Sequence, residues 1–134
     1  MKKALDVAAI VLTTLLLLVL AVQSVRGLID PPSASARFGA PVSDAAGVLF
    51  YRVYLSRNLV LVVCGAAFLL ARQWMALATL LTVAAALPVF DMSVLSLNGI
   101  TPPALHPSAL AALCVVAILL WRRVIFPATS TQPH

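Results

Sequence analysis

Arg57, Asp91 and His106 are three ionisable side chains in or beside long apolar stretches of the chain. A guanidinium, a carboxylate and an imidazole within reach of one another can hold a polar or anionic group, and Asp with His can also act as general acid and base. Arg57 stands in "YRVYLSRN", residues 51–58, with Tyr54 and Asn58 beside it, at the entrance to an apolar run. Asp91 stands in "LPVFDMSVL" and His106 in "ALHPSALAAL". One Asp and one His are too few ligands for a metal centre, so no metal is expected. Cys64 and Cys114 lie far apart in apolar segments without CxxC spacing and read as packing residues. No feature calls for a cofactor.

The elements that must carry these residues belong in lipid. Of 134 residues, 63% are hydrophobic and 10% charged, and the mean hydropathy is +1.08; so little polar surface cannot coat a soluble globule. The net charge of +5 is spread singly or in pairs between apolar runs, which argues against nucleic acid as a partner. Four apolar runs, about 5–26, 53–71, 74–97 and 106–125, each approach the roughly 20 residues that cross a bilayer as a helix. The expected fold is all-α, a single domain forming a four-helix transmembrane bundle. The first run, behind Lys2 and Lys3, is longer than the apolar core of a signal peptide and reads as a helix. Residues 127–134, including His134, read as a disordered tail.

With four crossings, Lys2, Lys3, Arg72, Arg122 and Arg123 fall on one side, which places both termini in the cytoplasm. Helical rather than strand periodicity points to the cytoplasmic (inner) membrane. Residues 27–52 then form an external loop whose Pro31, Pro32, Gly39, Pro41 and Gly47 forbid one continuous helix, suiting a folded or re-entrant lid. Arg37 in this loop is either a plain loop charge or a group capping a chamber beneath it, and Phe38, Val42, Val48, Leu49 and Phe50 are apolar enough to lie on the membrane surface or dip between helices. The near-absent turn at Arg72 and Gln73 makes helices two and three an antiparallel hairpin.

Counting up from the cytoplasmic boundary at 1.5 Å per residue puts Arg57, Asp91 and His106 about 22, 26 and 24 Å above it. Three helices thus bring them to one level, below the outer surface of a core about 30 Å thick. Exposing Arg57 or Asp91 to lipid would cost about 2.5–3.5 kcal/mol each, so an interior Arg57–Asp91 pair is the expected solution. Phe50, Tyr54, Arg57 and Asn58 would share one helix face, with Tyr51 and Arg52 as interfacial anchors. Pro88 should kink helix three one turn before Asp91. The expected result is an outward-facing polar pocket above an apolar lower half. Small residues four apart, Ala104, Ser108 and Ala112 on one helix and Ala78, Thr82 and Ala86 on another, suit close helix packing or a homo-oligomer.

The stretches "PPSASARFGAP", "YRVYLSRNLVLVV", "LPVFDMSVL" and "ALHPSALAAL" together resemble domain of unknown function 4267, a family of small four-helix integral membrane proteins. The resemblance spans nearly the whole chain. It implies an Asp late in helix three and a His opening helix four, positions that Asp91 and His106 occupy. Arg57 fits an Arg-Asp pair opening helix two, while Asn58 stands where that pattern has Asp. A looser similarity to DoxX-like membrane proteins implies architecture alone, and neither family implies a reaction.

Three functions compete. In the preferred one, the pocket binds a small amphipathic, anionic or lipid-like molecule through Arg57, Asn58, Tyr54, Arg37, Asp91 and His106, with Arg57 and Arg37 on an anionic group and aromatic residues on its body. In the second, Asp91 and His106 are catalytic, doing isomerase- or cyclase-type acid–base chemistry on a lipid-soluble substrate. In the third, the polar cluster only locks a structural or assembly subunit. Transport is disfavoured, because the apolar lower half offers no alternating route.

Overall fold

The computed structural model describes residues 2–126, and the tail at 127–134 lies outside them. Among the described residues six helices follow one another: α1 (Lys2–Ile29), α2 (Pro31–Phe38), α3 (Ala45–Leu70), α4 (Trp74–Ala84), α5 (Ala86–Leu97) and α6 (Leu105–Ile125). Four spans are long and apolar enough to cross a membrane: Ala4–Ile29, Ala45–Leu70, Trp74–Leu97 and Leu105–Ile125. The protein is therefore an all-helical, multi-pass integral membrane protein, with α4 and α5 as two halves of the third span.

The break inside that span lies where Pro88 requires it. A proline donates no hydrogen bond to the carbonyl four residues back, here that of Ala84, and α4 ends at that residue. Ala85 forms the joint at φ −64° and ψ −18°, and α5 resumes at Ala86. The other breaks have equally local causes. Pro31 follows Asp30, whose extended-side backbone (ψ 77°) ends α1, and Asp30 then caps α2 by accepting from the Ser33 N–H at 3.2 Å. Gly39, at φ 101°, ends α2 in a left-handed turn that donates to the Ser35 and Ala36 carbonyls. The α3–α4 turn has the same form with a non-glycine residue: Arg72 sits at φ 55°, Arg72 N donates to Leu69 O, and Gln73 N donates to Phe68 O.

Residues 27–52, expected as a loop, are largely helical. α1 runs on to Ile29, α2 forms inside the segment, and α3 begins at Ala45, well before the boundary near 53. Hydropathy marks where a helix enters hydrocarbon, whereas the helix itself starts at its cap, and Asp44 supplies one by accepting from the Gly47 N–H at 2.9 Å. The stretch between Gly39 and Asp44 is stapled back by Ser35, whose buried hydroxyl donates to Pro32 O and accepts from Val42 N, each at 3.0 Å.

Around the bundle α1 packs on α3 and α6, and α4 packs on α3 and α6. The closed core is at the end that carries the termini: Ala9, Leu77, Ala78, Leu81, Leu113, Val116, Ala117 and Leu120 form one cluster. Beneath it Arg123 joins three helices, its guanidinium carbon 4.0 Å from the Trp74 ring centroid and a nitrogen 3.9 Å from the Asp6 carboxylate. Thr13 and Thr82 return their hydroxyls to the carbonyls four residues back, and Thr82 also accepts from the Trp121 indole at 2.9 Å. The small-residue ladders behave differently from expectation. Of their six members only Ala78 is buried; Ala104, Ser108 and Ala112 are exposed.

Close approach instead comes from two glycines on α1 and α3. A Cβ on Gly27 would lie 2.5 Å from Leu55 Cδ1, and one on Gly65 would lie 2.8 Å from Leu17 Cδ2. Each helix thus offers a glycine notch to a leucine of the other, contact that matters where lipid removes the hydrophobic drive between helices. Gly65→Leu should cost about 1–3 kcal/mol through overpacking, read as loss of thermal stability in detergent, whereas Gly65→Ala costs less because the end of Leu17 can swing aside. At Asp44 the Gly47 N–H holds the carboxyl below its usual value of 3.8. Because the folded value is the lower one, the cap contributes above pH 3.8 and is lost as pH falls from there through the lowered value. Acidification should therefore speed amide exchange at Gly47, relative to the intrinsic rate, before it affects α6.

Candidate functional site

The helices separate above the closed end, leaving a cavity of about 760 Å3 lined from α1, α2, α3, the third span and α6. That is within the roughly 300–1,000 Å3 of small-molecule sites. Its lining is segregated by chemistry. Toward the closed end stand Leu16, Leu20, Leu61, Val62, Leu80 and Leu113; toward the α2 end stand Tyr51, Tyr54, Asn58, Asp91 and His106, interleaved with Leu55, Leu87 and Leu105, with Arg26, Asp30 and Arg37 at the rim. Several lining residues, Val19 and Gln23 of α1 and Ser108 and Ala112 of α6 among them, are themselves exposed. Leu61 of α3 and Leu87 of α5 are exposed lining residues too, so the cavity is open to the bundle surface rather than sealed within it.

His106 organises the polar end. It sits in the first turn of α6, buried to 3% exposure, and its Nε2 lies 2.9 Å from the carbonyl oxygen of Phe38. A carbonyl can only accept, so Nε2 carries the proton. Nδ1 then faces Asp91, with Oδ2 at 3.8 Å, an ion-pair distance longer than a hydrogen bond. The Phe38 ring meets the imidazole edge-on, with centroids 4.7 Å apart. It also packs edge-on against Tyr54 at 5.8 Å and Tyr51 at 6.4 Å. One residue of α2 thereby ties the short helix to α3 and α6, and Gly39 presses against Pro103 behind it.

The Arg57–Asp91 pair expected from the sequence does not form. Among the described residues the ion pairs within 4.0 Å are His106–Asp91 and Arg123–Asp6, and Arg57 is exposed and outside the cavity lining. The helix face was rotated in the expectation: Tyr51, Tyr54, Leu55, Asn58 and Val62 turn inward, while Phe50 and Arg57 turn out. At 100° per residue Phe50 and Arg57 lie on the far edge of Tyr54 from Asn58, so both cannot share the inward face. An outward Arg57 about 8 Å below the outer boundary is within reach of the interface by snorkelling. Tyr51, expected as an interfacial anchor, is a half-buried wall of the cavity. Arg37 lines the rim and donates to Ser33 Oγ at 3.1 Å.

Sequence reasoning missed Arg26, Asp30 and Ser33, which line the cavity with Arg37. Their spacing of four, three and four residues is a helical stripe that carries across the Pro31–Pro32 joint, because α2 starts directly where α1 stops. It also missed the Phe38 carbonyl, since main-chain groups leave no mark in composition. Among the described residues no group of three His, Cys, Asp or Glu side chains could hold a metal.

An all-helical, four-span membrane protein with an amphipathic cavity between its spans is the class that fold and site define. Residues 17–122 match the family described as Domain of unknown function (DUF4267), and the chain belongs to that family. No curated protein and no solved structure matches the chain, and the looser likeness to DoxX-like proteins finds no support.

His106→Ala should leave the Phe38 carbonyl without its donor, at about 1–3 kcal/mol for an unsatisfied buried group. The expected readout is faster amide exchange through residues 35–42 with the α4–α6 core unchanged.

Proposed function

We propose that this protein binds a small amphipathic, lipid-like molecule from the membrane, with its apolar chain among the leucines and its head at the Tyr54, Asn58, Asp91 and His106 end. The single observation that supports this is the one-sided placement of polar groups in a mostly apolar cavity: the charged and aromatic hydroxyl side chains gather at the α2 end, and the closed end is lined by leucine and valine. A molecule already dissolved in the bilayer reaches a cavity open to the bundle surface without crossing water. Lys2, Lys3, Arg72, Arg122 and Arg123 belong to the opposite end, against Arg26, Arg37, Arg52 and Arg57 with Asp30 and Asp44 at the polar end, and this small excess supports the polar end facing away from the cytoplasm; the helical spans fit an inner membrane.

A second reading is acid–base catalysis on the bound molecule. It is favoured by the fixed tautomer of His106, whose Nδ1 is held beside the Asp91 carboxylate inside the cavity. The exposed position of Arg57 removes it from the inner site and leaves Asp91, His106, Asn58 and the tyrosines to carry either role.

Protein extracted in a mild detergent and analysed by native mass spectrometry should retain a single amphiphile per chain. Ala109→Phe, which projects a ring into the cavity beside α1, should displace it while the fold persists in thermal unfolding. Retention of nothing by the native chain, or equal retention by the Ala109→Phe variant, would count against the binding reading. Chemical turnover of the released molecule by the native protein but not by Asp91→Asn would convert it into the catalytic one.

A further inference from the structure

We infer that the head of the bound amphiphile is an ammonium group. This rests on the reading of the cavity as an amphiphile site and adds the charge of the head. Phe38, Tyr51 and Tyr54 all line the cavity and make an aromatic corner. Phe38 stands at 69° to Tyr51 and 66° to Tyr54, and the two tyrosines tilt by 32° with centroids 5.8 Å apart. The π faces of such rings carry partial negative charge and attract cations, more strongly where water is excluded.

Asp91 lines the same cavity as these rings, and among the described residues no Lys or Arg pairs with it. Its partner, His106 Nδ1, is at 3.8 Å. Nε2–H is committed to Phe38 O, and at 3.8 Å Nδ1 makes no hydrogen bond to Asp91, so the carboxylate oxygens remain able to accept from a ligand. A ligand N–H at this point donates to one or both, and a quaternary head satisfies the carboxylate and the aromatic faces. Tyr and Asn58 side chains complete the wall without adding charge. The other charged groups around the cavity are Arg26, Asp30 and Arg37, all exposed at the rim. Two cations and one carboxylate there leave a net positive rim, but its charges are screened by water, whereas Asp91 acts from a half-buried position. An anionic head at the inner site would meet the carboxylate with no cation beside it except a protonated His106.

The test compares four chains of one length: dodecylammonium, dodecyltrimethylammonium, dodecanol and dodecanoate, titrated into the full-length protein in neutral maltoside micelles and counted by native mass spectrometry. The ammonium chains should bind about tenfold or more tightly than dodecanol and dodecanoate. Asp91→Asn should remove the preference, bringing both ammonium chains to the level of dodecanol measured on the same variant. A preference for the primary over the quaternary head supports an N–H donor between Nδ1 and Asp91, and the reverse preference supports the aromatic corner; either upholds the inference. Dodecanol equal to the ammonium chains, or dodecanoate tighter than them, overturns the ammonium head and leaves the amphiphile reading intact. Absence of binding by all of the chains overturns both. The wild-type comparison decides by itself should Asp91→Asn not fold.

Discussion

Phe38 is the last residue of α2, so its carbonyl is one of those that a helix end leaves without an internal partner. The left-handed turn at Gly39 satisfies the carbonyls of Ser35 and Ala36 and leaves that of Phe38 to an outside donor. His106 supplies it from α6 at 2.9 Å. This bond joins a short helix to a transmembrane one, sets which imidazole nitrogen holds the proton, and turns the other toward Asp91. The lid, the tautomer and the polar end of the cavity all depend on it.

The lower and upper halves of the bundle obey different constraints. At the closed end leucine, valine and alanine from α1, α4 and α6 interlock, and Arg123 draws Trp74 and Asp6 together beneath them. Along their length α1 and α3 remain close because Gly65, level with the closed core, and Gly27, near the α2 end, admit leucines from the opposite helix. The third span breaks at Ala85, and its second half, α5, packs on α6 while α3 stays with α1. The space between these two pairs is the cavity. A missing backbone donor at Pro88 and two missing Cβ atoms, rather than any bulky group, thereby shape the site.

Much of the site was legible from counting residues along helices. Asp91 and His106 were placed at one depth by rise per residue, and the structure brings them within 3.8 Å. Tyr54 and Asn58 were placed on a common face and both line the cavity. Arg57 was misassigned because charge pairing was allowed to choose the helix face; its long side chain gives it another way to escape hydrocarbon. The stripe of Arg26, Asp30, Ser33 and Arg37 went unseen because Pro31 and Pro32 were read as ending helical order, whereas prolines at the first positions of α2 also begin it.

The sequence by itself determined the solvent, the number of spans, the hairpin at Arg72 and the break before Asp91. These follow from hydropathy, the length of hydrocarbon to be crossed and the missing N–H of a proline, all local quantities. Only the tertiary structure decided which acceptor His106 would meet, which way Arg57 would turn, and that the expected lid would take the form of a helix over residues 31–38. Those outcomes depend on the rotation of each helix about its axis and on main-chain groups left over at helix ends, and both are settled by packing between segments far apart in the chain.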